Sequence, residues 1–439
     1  MAATPRAAQM SPQLLKVAER AKRDPEVRFT SLAHLLDEEA LERAFGHIRK
    51  DAAVGVDGVT KEVYGQQLER NIRDLRERMR TKRYRHQPIR RVHIPKAQGK
   101  TRPIGISSVE DKMVQEAVRQ VLEVLYEPIF RDCSYGFRPE RGAHDALRVL
   151  NQVLVRGEGN WILEADIQSF FDSIDRKMLM EMLRQRITDP AFLRLVGKCL
   201  HVGVLDGEEY SEPGEGTAQG SVLSPLLGNV FLHHVLDLWF ERDVLPRMRG
   251  KALLVRYADD FVIVFEEQHD AQRVAGVLRQ RFERFGLTLH PDKTRLFPFR
   301  RPPADQKKGK GPPTFDFLGF TVYWRRDRGG RWAPRLKTRT ARLRGAIQRI
   351  YDWCRRHRHQ SVKEQHAALC RRIQGHFNYF GVNGNYRCLA ALVFWAQRAW
   401  YHWRRRRSQR SRLNWDRFND LLRDFPLPRP GVRVRLWTP

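Results

Sequence analysis

Two short apolar runs, Ala252–Val255 and Phe261–Phe265, stand on either side of a polar insert, Arg256-Tyr257-Ala258-Asp259-Asp260. Runs of this length, rich in β-branched and aromatic residues, predict buried strands, and the insert predicts a tight hairpin between them. Trp161–Ile167 predicts a further strand with Asp166 near its C-terminal end, and Arg91–Pro95 with Thr101–Ile106 predicts a hairpin turning at residues 97–100. Leu287–Leu289, Leu296–Phe299 and Phe315–Trp324 predict shorter strands. Helical spacing predicts helices over Leu32–Lys50, Lys61–Arg80, Asp111–Leu125, residues 142 or 143 to 155, Lys177–Arg186, Pro190–Leu200 and Asp270–Phe285. Val222–Leu238 predicts a buried helix interrupted near Pro225. Arg300–Pro313 is rich in Pro, Gly and Lys and predicts a mobile basic insertion. From about Pro334 the pattern changes to long Arg-rich helices with interleaved aromatics, over Leu336–Arg355, Val362–Phe380 and Tyr386–Arg407.

Charge narrows the partner. Lys and Arg number 81 against 51 Asp and Glu, a formal net charge of +30 over 439 residues. Such an excess implies a large polyanion, and nucleic acid leads because the basic residues are spread along the chain rather than gathered beside one amphipathic helix. No apolar run approaches the ~20 residues of a membrane span. The N-terminus lacks the apolar core of a signal peptide, and the five cysteines form no C-x-x-C pair. The expected setting is therefore reducing and cytoplasmic, in association with nucleic acid.

Chemistry enters with the acids. Asp259 and Asp260 at the tip of a buried hairpin would repel each other without a cationic partner, and Mg²⁺ prefers such hard carboxylate oxygens. The plainer reading is an Asp-rich turn. Asp166, at a strand end, is placed to complete a carboxylate triad, or else caps the following turn. Lys96 and Arg102 flank the turn of the first hairpin, where they could grip a triphosphate or merely be solvated surface charge. Gln219 and Gly220 lie in a glycine-rich turn that either lets backbone approach a ligand or only makes the turn. In residues 396–412, Trp400 and Trp403 are three apart, with Arg404, Arg405, Arg406 and Arg407 following. Such a face suits stacking on bases together with phosphate contact; the alternative is a bundle whose aromatics are core.

Eight blocks then converge on one family: RRVHIPKAQGKTRPIGI, CSYGFRPERGAHDAL, EADIQSFFDSID, GTAQGSVLSPLLGNVFLH, RYADDFVIV, GLTLHPDKT, FDFLGF and GHFNYFGV. In these blocks the chain resembles the bacterial group II intron reverse transcriptases, or maturases, from about Leu32 to Arg435. The resemblance implies an α+β right-hand polymerase, with fingers and a palm built on an antiparallel sheet, followed by an α-helical thumb that doubles as the maturase domain. The boundaries expected are 1–30 for a mobile N-terminal segment, 31–160 for the N-terminal extension and fingers, 161–324 for the palm and 325–439 for the thumb with a basic extension. It further implies that Asp166, Asp259 and Asp260, with the Ile167 backbone carbonyl, bind two Mg²⁺ ions, with Mn²⁺ as a substitute. Phe171 becomes the gate against a ribose 2′-hydroxyl. Lys96, Arg102, Gln219, Gly220 and Lys293 become nucleotide-binding residues, and Tyr257 a contact to nucleic acid.

Two departures stand out. Ala218 and Ser221 replace the Pro and Gly that usually bracket the Gln-Gly pair, which predicts altered pocket detail rather than lost activity. Nothing after Arg407 resembles the His-Asn-His endonuclease of many relatives, so no DNA-cutting domain is expected. The implied function is RNA-directed DNA synthesis on a primer–template with dNTPs, together with binding and splicing assistance for a structured group II intron RNA. Three rivals are an RNA-dependent RNA polymerase, a non-catalytic splicing factor, and an intron-independent relative serving defence or repair. Phe171 argues against the first, since such polymerases tend to keep a carboxylate there, and the intact carboxylates argue against the second.

Overall fold

A computed structural model describes residues 10–95, 101–207, 209–211, 216, 220–305, 313–327, 329–408 and 413–437. Lys96, Ala218, Gln219 and half of the basic insertion, residues 306–312, lie outside the described residues. Eleven strands are described: β1 (Ile89–Pro95), β2 (Thr101–Ile106), β3 (Trp161–Asp166), β4 (Val204–Asp206), β5 (Glu209–Ser211), β6 (Ala252–Tyr257), β7 (Asp260–Phe265), β8 (Arg295–Pro298), β9 (Phe315–Phe317), β10 (Phe320–Arg326) and β11 (Trp332–Thr338). They form three sheets, in the orders β2-β1-β4-β5, β6-β7-β3-β8 and β11-β10-β9. The second is antiparallel throughout.

That second sheet explains why its strands read as continuous apolar runs rather than alternating ones. Successive residues of a strand point to opposite faces, and here both faces are covered. Leu163, Ala165, Leu254, Phe261, Ile263 and Phe265 enter one core, which they share with the Val109–Tyr126, Ser224–Leu232 and Gln268–Glu283 helices. Ile162, Val255, Val262 and Val264 enter another, with the Ala143–Arg156 helix and the β9–β11 sheet. A third core lies among four helices, Thr340–Arg356, Val362–Phe380, Tyr386–Arg405 and Trp415–Asp424. The second of these starts on a reciprocal cap in which the Ser361 hydroxyl accepts from the Glu364 N–H and Glu364 accepts from Ser361 N–H.

Besides breaks in the helices expected over Leu32–Lys50 and Lys61–Arg80, an isolated bridge at Leu289 in place of a short strand, and a Pro12–Arg23 helix that buries Leu14 and Ala21 within the segment expected to be mobile, four expectations change. Residues 336–338 belong to β11 and not to a helix; Pro334 is tolerated because β11 is an edge strand and pairs with β10 alone. The run Phe315–Trp324 is broken into two antiparallel strands by left-handed backbone at Leu318 (φ 51°) and Gly319 (φ 80°). Pro225 does not interrupt its helix but sits in the first turn of Ser224–Leu232, where a missing N–H costs nothing. The helical path then continues through two π-helical stretches, His233–Asp237 and Phe240–Val244.

The fourth correction concerns Trp400. It is 1% exposed, its indole N–H donates to Gln365 Oε1 at 2.8 Å, and Phe418 packs edge-on against it. A ring so enclosed cannot stack on a base. Among the described residues no helix is long and apolar enough to cross a membrane.

Trp400→Ala should therefore behave as a core deletion, destabilising the helical unit by about 3–5 kcal/mol. Arg406→Ala, on an exposed side chain, should stay within about 0.5 kcal/mol. Thermal or urea unfolding of both variants checks the pair.

Candidate active site

The β6–β7 turn is as short as a hairpin allows, with only Ala258 and Asp259 between Tyr257 and Asp260. A two-residue turn that matches strand twist needs positive φ, usually supplied by Gly or Asn. Here Ala258 takes it, at φ 57°, a conformation that costs a side-chain-bearing residue roughly 1–2 kcal/mol. The offset comes from the residue two positions earlier. Arg256 is 0% exposed and every guanidinium N–H is used. Nε donates to Asp237 Oδ1 at 2.8 Å, Nη1 to Asn229 Oδ1 at 2.9 Å and to the Ala258 carbonyl at 3.1 Å, and Nη2 to Ser134 Oγ at 2.8 Å and Asp237 Oδ2 at 2.5 Å. The Cys133–Tyr135 segment runs along the same strand, through Arg256 N–H to the Cys133 carbonyl and Tyr135 N–H to the Arg256 carbonyl, both 2.8 Å. At Gly136 a Cβ would lie 2.5 Å from the Ala258 nitrogen, so only glycine lets this segment press on the turn.

The register across β3 and β7 places Asp166 directly opposite Asp260, with Asp259 beside it in the turn. Burial pushes the Asp259 carboxyl above its ordinary range, and the charge on Asp166 adds to the shift. Asp260 is raised to about 7, first by burial and then by Asp259 and Asp166; the Leu318 N–H partly counters this by donating to it. Lys293 Nζ lies 2.5 Å from Asp166 Oδ2. Among the described residues no three His, Cys, Asp or Glu side chains already enclose a metal position, and Asp166 gives an oxygen to Lys293 instead. The donor chemistry nevertheless fits a divalent cation: three crowded carboxylates, two of them pushed toward protonation, are relieved by added positive charge. The pairing of His290 N–H with the Asp166 carbonyl and of Gln168 N–H with the Thr288 carbonyl, both 2.8 Å, turns the Ile167 carbonyl to the other edge of the strand, the side of β7.

Gly220, at φ 108°, brings its turn onto β2, where a Cβ would lie 2.5 Å from the Gly105 carbonyl oxygen. Arg102 stands on the same strand, and its charge acts on Asp259, opposing the rise in that carboxyl. Ser221 has a structural use for its hydroxyl, which donates to Gln115 Oε1 at 3.1 Å, while Gln115 Nε2 donates to Ser107 Oγ. Phe171 lies against the Ser224–Leu232 helix at Gly228, where a Cβ would be 3.2 Å from its ring. Tyr257 is half-buried beside Phe137, ring centroids 6.2 Å apart. Lys96 and Gln219 lie outside the described residues.

The C-terminal candidates belong to the four-helix unit and not to this cluster. Trp403 is half-buried against Tyr351, with Arg355 and Arg406 over its ring; Arg404 is half-buried, and Arg405, Arg406 and Arg407 are exposed. Sequence reasoning missed Arg256, Asp237 and Asn229, and also the Leu318 turn, whose carbonyl accepts from Tyr379 Oη at 2.8 Å. An arginine inside an apolar strand and an aspartate inside an apolar helix were the available signal.

Residues 94–322 match the family described as reverse transcriptase (RNA-dependent DNA polymerase), a span that holds all three aspartates. The chain is 33% identical over 318 residues to protein YkfC of Escherichia coli, covering 64% of this chain and 83% of that protein. It is 32% identical over 243 residues to the group II intron-encoded protein LtrA of Lactococcus lactis, covering 54% of this chain and 40% of LtrA. It is also 31% identical over 138 residues to nuclear intron maturase 4, mitochondrial, of Arabidopsis thaliana, covering 31% of this chain and 17% of that protein. The chain thus spans most of the first relative but less than half of the other two.

The raised Asp260 carboxyl sets a pH dependence. A folded-state pKa of about 7 against an ordinary 3.8 means that the folded protein holds a proton the unfolded chain has released. That contribution to stability is complete below the ordinary value and is lost as pH rises to about 7. Asp260→Asn removes the loss. In melts with EDTA, the Tm advantage of the variant over wild type should grow between pH 5 and pH 8; an advantage equal at both ends would rule out the strained carboxylate pair.

Proposed function

The chain belongs to the group II intron reverse transcriptase and maturase family, and we propose that it copies RNA into DNA at the Asp166–Asp259–Asp260 cluster. The observation that carries this reading is the register that sets Asp260 against Asp166 beside a strained turn bearing Asp259. In this reading residues 31–160 supply the fingers, the β6-β7-β3-β8 sheet within 161–324 the palm, and the helices after β11 the thumb and maturase surface. Asp166, Asp259, Asp260 and the Ile167 carbonyl would hold two Mg²⁺ ions. When bound, the ions favour the deprotonated primer 3′-hydroxyl and neutralise charge on the leaving pyrophosphate.

The protein's own residues do the positioning, which in phosphoryl transfer supplies most of the acceleration. Arg102 offers a two-pronged donor to the incoming triphosphate, with Lys96 as its partner across the turn. Gly220, by letting its turn close onto β2, sets that turn against the strand bearing Arg102, where with Gln219 it would meet the nucleotide. Phe171 closes the space a ribose 2′-hydroxyl would need. Lys293, an ammonium already within the carboxylate cluster, can turn from Asp166 to a phosphate oxygen. The basic helical unit, with its exposed Arg405–Arg407, fits the duplex and a structured intron RNA, giving the protein a splicing role beside polymerisation and a part in intron mobility.

Primer extension on poly(rA) with an oligo(dT) primer tests the assignment. Asp259→Ala should abolish DNA synthesis while RNA binding stays near wild type; full synthesis by the folded variant would overturn it. Phe171→Val should relax the preference for dNTP over rNTP by about tenfold or more, the scale on which a close-fitting pocket excludes one small group. Equal use of both nucleotides by the wild type would remove the gate.

A further inference from the structure

With Trp400 enclosed in the core, the outer face of its helix is a different set of residues. Arg387, Phe394, Arg398 and Arg405 follow one another at spacings of seven, four and seven, which on a helix is a single stripe. All four are exposed, and so is Trp395 beside them; Phe394 is 50% and Trp395 48% exposed. The stripe is about 27 Å long at 1.5 Å per residue. The Tyr386–Arg405 helix contains no Asp or Glu and four arginines.

Exposed rings of this size on a helix demand a reason, because burying them would be favourable. The arginine geometry supplies one. The Arg398 guanidinium lies 5.4 Å from the Phe394 ring centroid, 6.0 Å from Trp395 and 5.8 Å from Trp415, which is itself 40% exposed. Phe394 and Trp395 meet edge to face at 5.4 Å, so they present differently directed surfaces around one fixed cation. An apolar protein partner would not be served by a helix face that is cationic along its whole length and has no acid of its own. A chain of phosphates carrying unstacked bases would be: bases stack on exposed rings and guanidinium planes, and phosphates take the flanking charges.

We infer that the Phe394–Trp395–Arg398 face, flanked by Arg387, Arg405 and Trp415, is a binding site for unpaired nucleotides of RNA, such as a loop or bulge. This rests on the reading of the chain as an RNA-binding polymerase and places a specific contact on it. Duplex RNA has its bases stacked inward and is a poor match for exposed rings, so the site selects looped over fully paired RNA.

The test is filter binding of the full-length protein to a fluorescent RNA hairpin with a ten-nucleotide loop and to a blunt RNA duplex, across a salt series. The Phe394→Ala, Trp395→Ala double variant should bind the looped RNA about five- to a hundredfold more weakly, the range for lost base stacking, with an unchanged salt slope. Arg398→Ala should flatten the slope by close to one ion, because a phosphate contact releases counterions. Both variants should keep wild-type melting and wild-type extension of a short oligo(dT)·poly(rA) primer–template. Unchanged affinity for the looped RNA, or an equal loss on the duplex, would overturn the inference. So would a change from dimer to monomer in light scattering of the double variant, which would make the face a contact between copies. A wild type that binds looped RNA but extends no primer would instead sink the polymerase reading and leave this site standing.

Discussion

The buried pair between Arg256 and Asp237 is the constraint on which the acidic site depends. Removing two charges from water is costly, and a buried ion pair rarely adds net stability over apolar side chains of the same shape. Its value here is positional. Arg256 sits two residues before the turn residue Ala258 and holds its carbonyl, while its other donors reach Asp237 and Asn229 on the long helical segment and Ser134 on the preceding loop. One guanidinium thereby ties the strained turn to two other parts of the chain. Asn229 extends the tie by donating to the Gly136 carbonyl at 2.7 Å, and Gly136 in turn presses on the turn itself. The π-helical stretch that ends at Asp237 is part of the same arrangement, since a π turn shifts the facing of the residues that follow it.

Around this anchor the β6-β7-β3-β8 sheet acts as a rigid mount. Alternate residues enter two separate cores, so neither face can slip without moving apolar side chains into water. The acids lie at the ends of β3 and β7, where the ladder stops and the side chains are only half covered. The consequence is a cluster of negative charge held under strain within a chain of formal charge +30. Burial and mutual repulsion raise Asp259 and Asp260. Lys293 and Arg102 supply nearby positive charge from a loop and from the first hairpin.

Two glycines serve the same end by close approach. Gly220 lets its turn touch β2, and Gly228 leaves space for the Phe171 ring on the helix behind it. From the other side, Tyr379, near the end of the Val362–Phe380 helix, holds the Leu318 carbonyl while the Leu318 N–H serves Asp260. The helical unit therefore reaches the acidic site through one turn, and the Phe-Leu-Gly-Phe stretch of the sequence acquires a mechanical meaning.

How much of this was legible in the chain follows from the range of the interactions involved. The strands bearing the acids, the hairpin between them and the three aspartates themselves were readable, because apolar runs, turn residues and ordered motifs are local properties. Ser221 and Arg256 were not, since a serine or an arginine is by default a solvated side chain. Only partners up to 122 residues away, as Ser134 is from Arg256, make a fully buried arginine tolerable. β11 escaped because Pro334 argues against a strand unless the strand lies at a sheet edge, and edges are set by pairing. The Tyr386–Arg405 helix shows the same limit most clearly. Its aromatics occur on more than one side, so periodicity alone left its inner face undecided. Gln365 and Phe418, on neighbouring helices, took Trp400 inward and left Phe394 and Trp395 outside. The sequence determined that the helix would be basic and aromatic; packing against its neighbours decided which rings meet water, because a side chain's exposure is a property of what surrounds it.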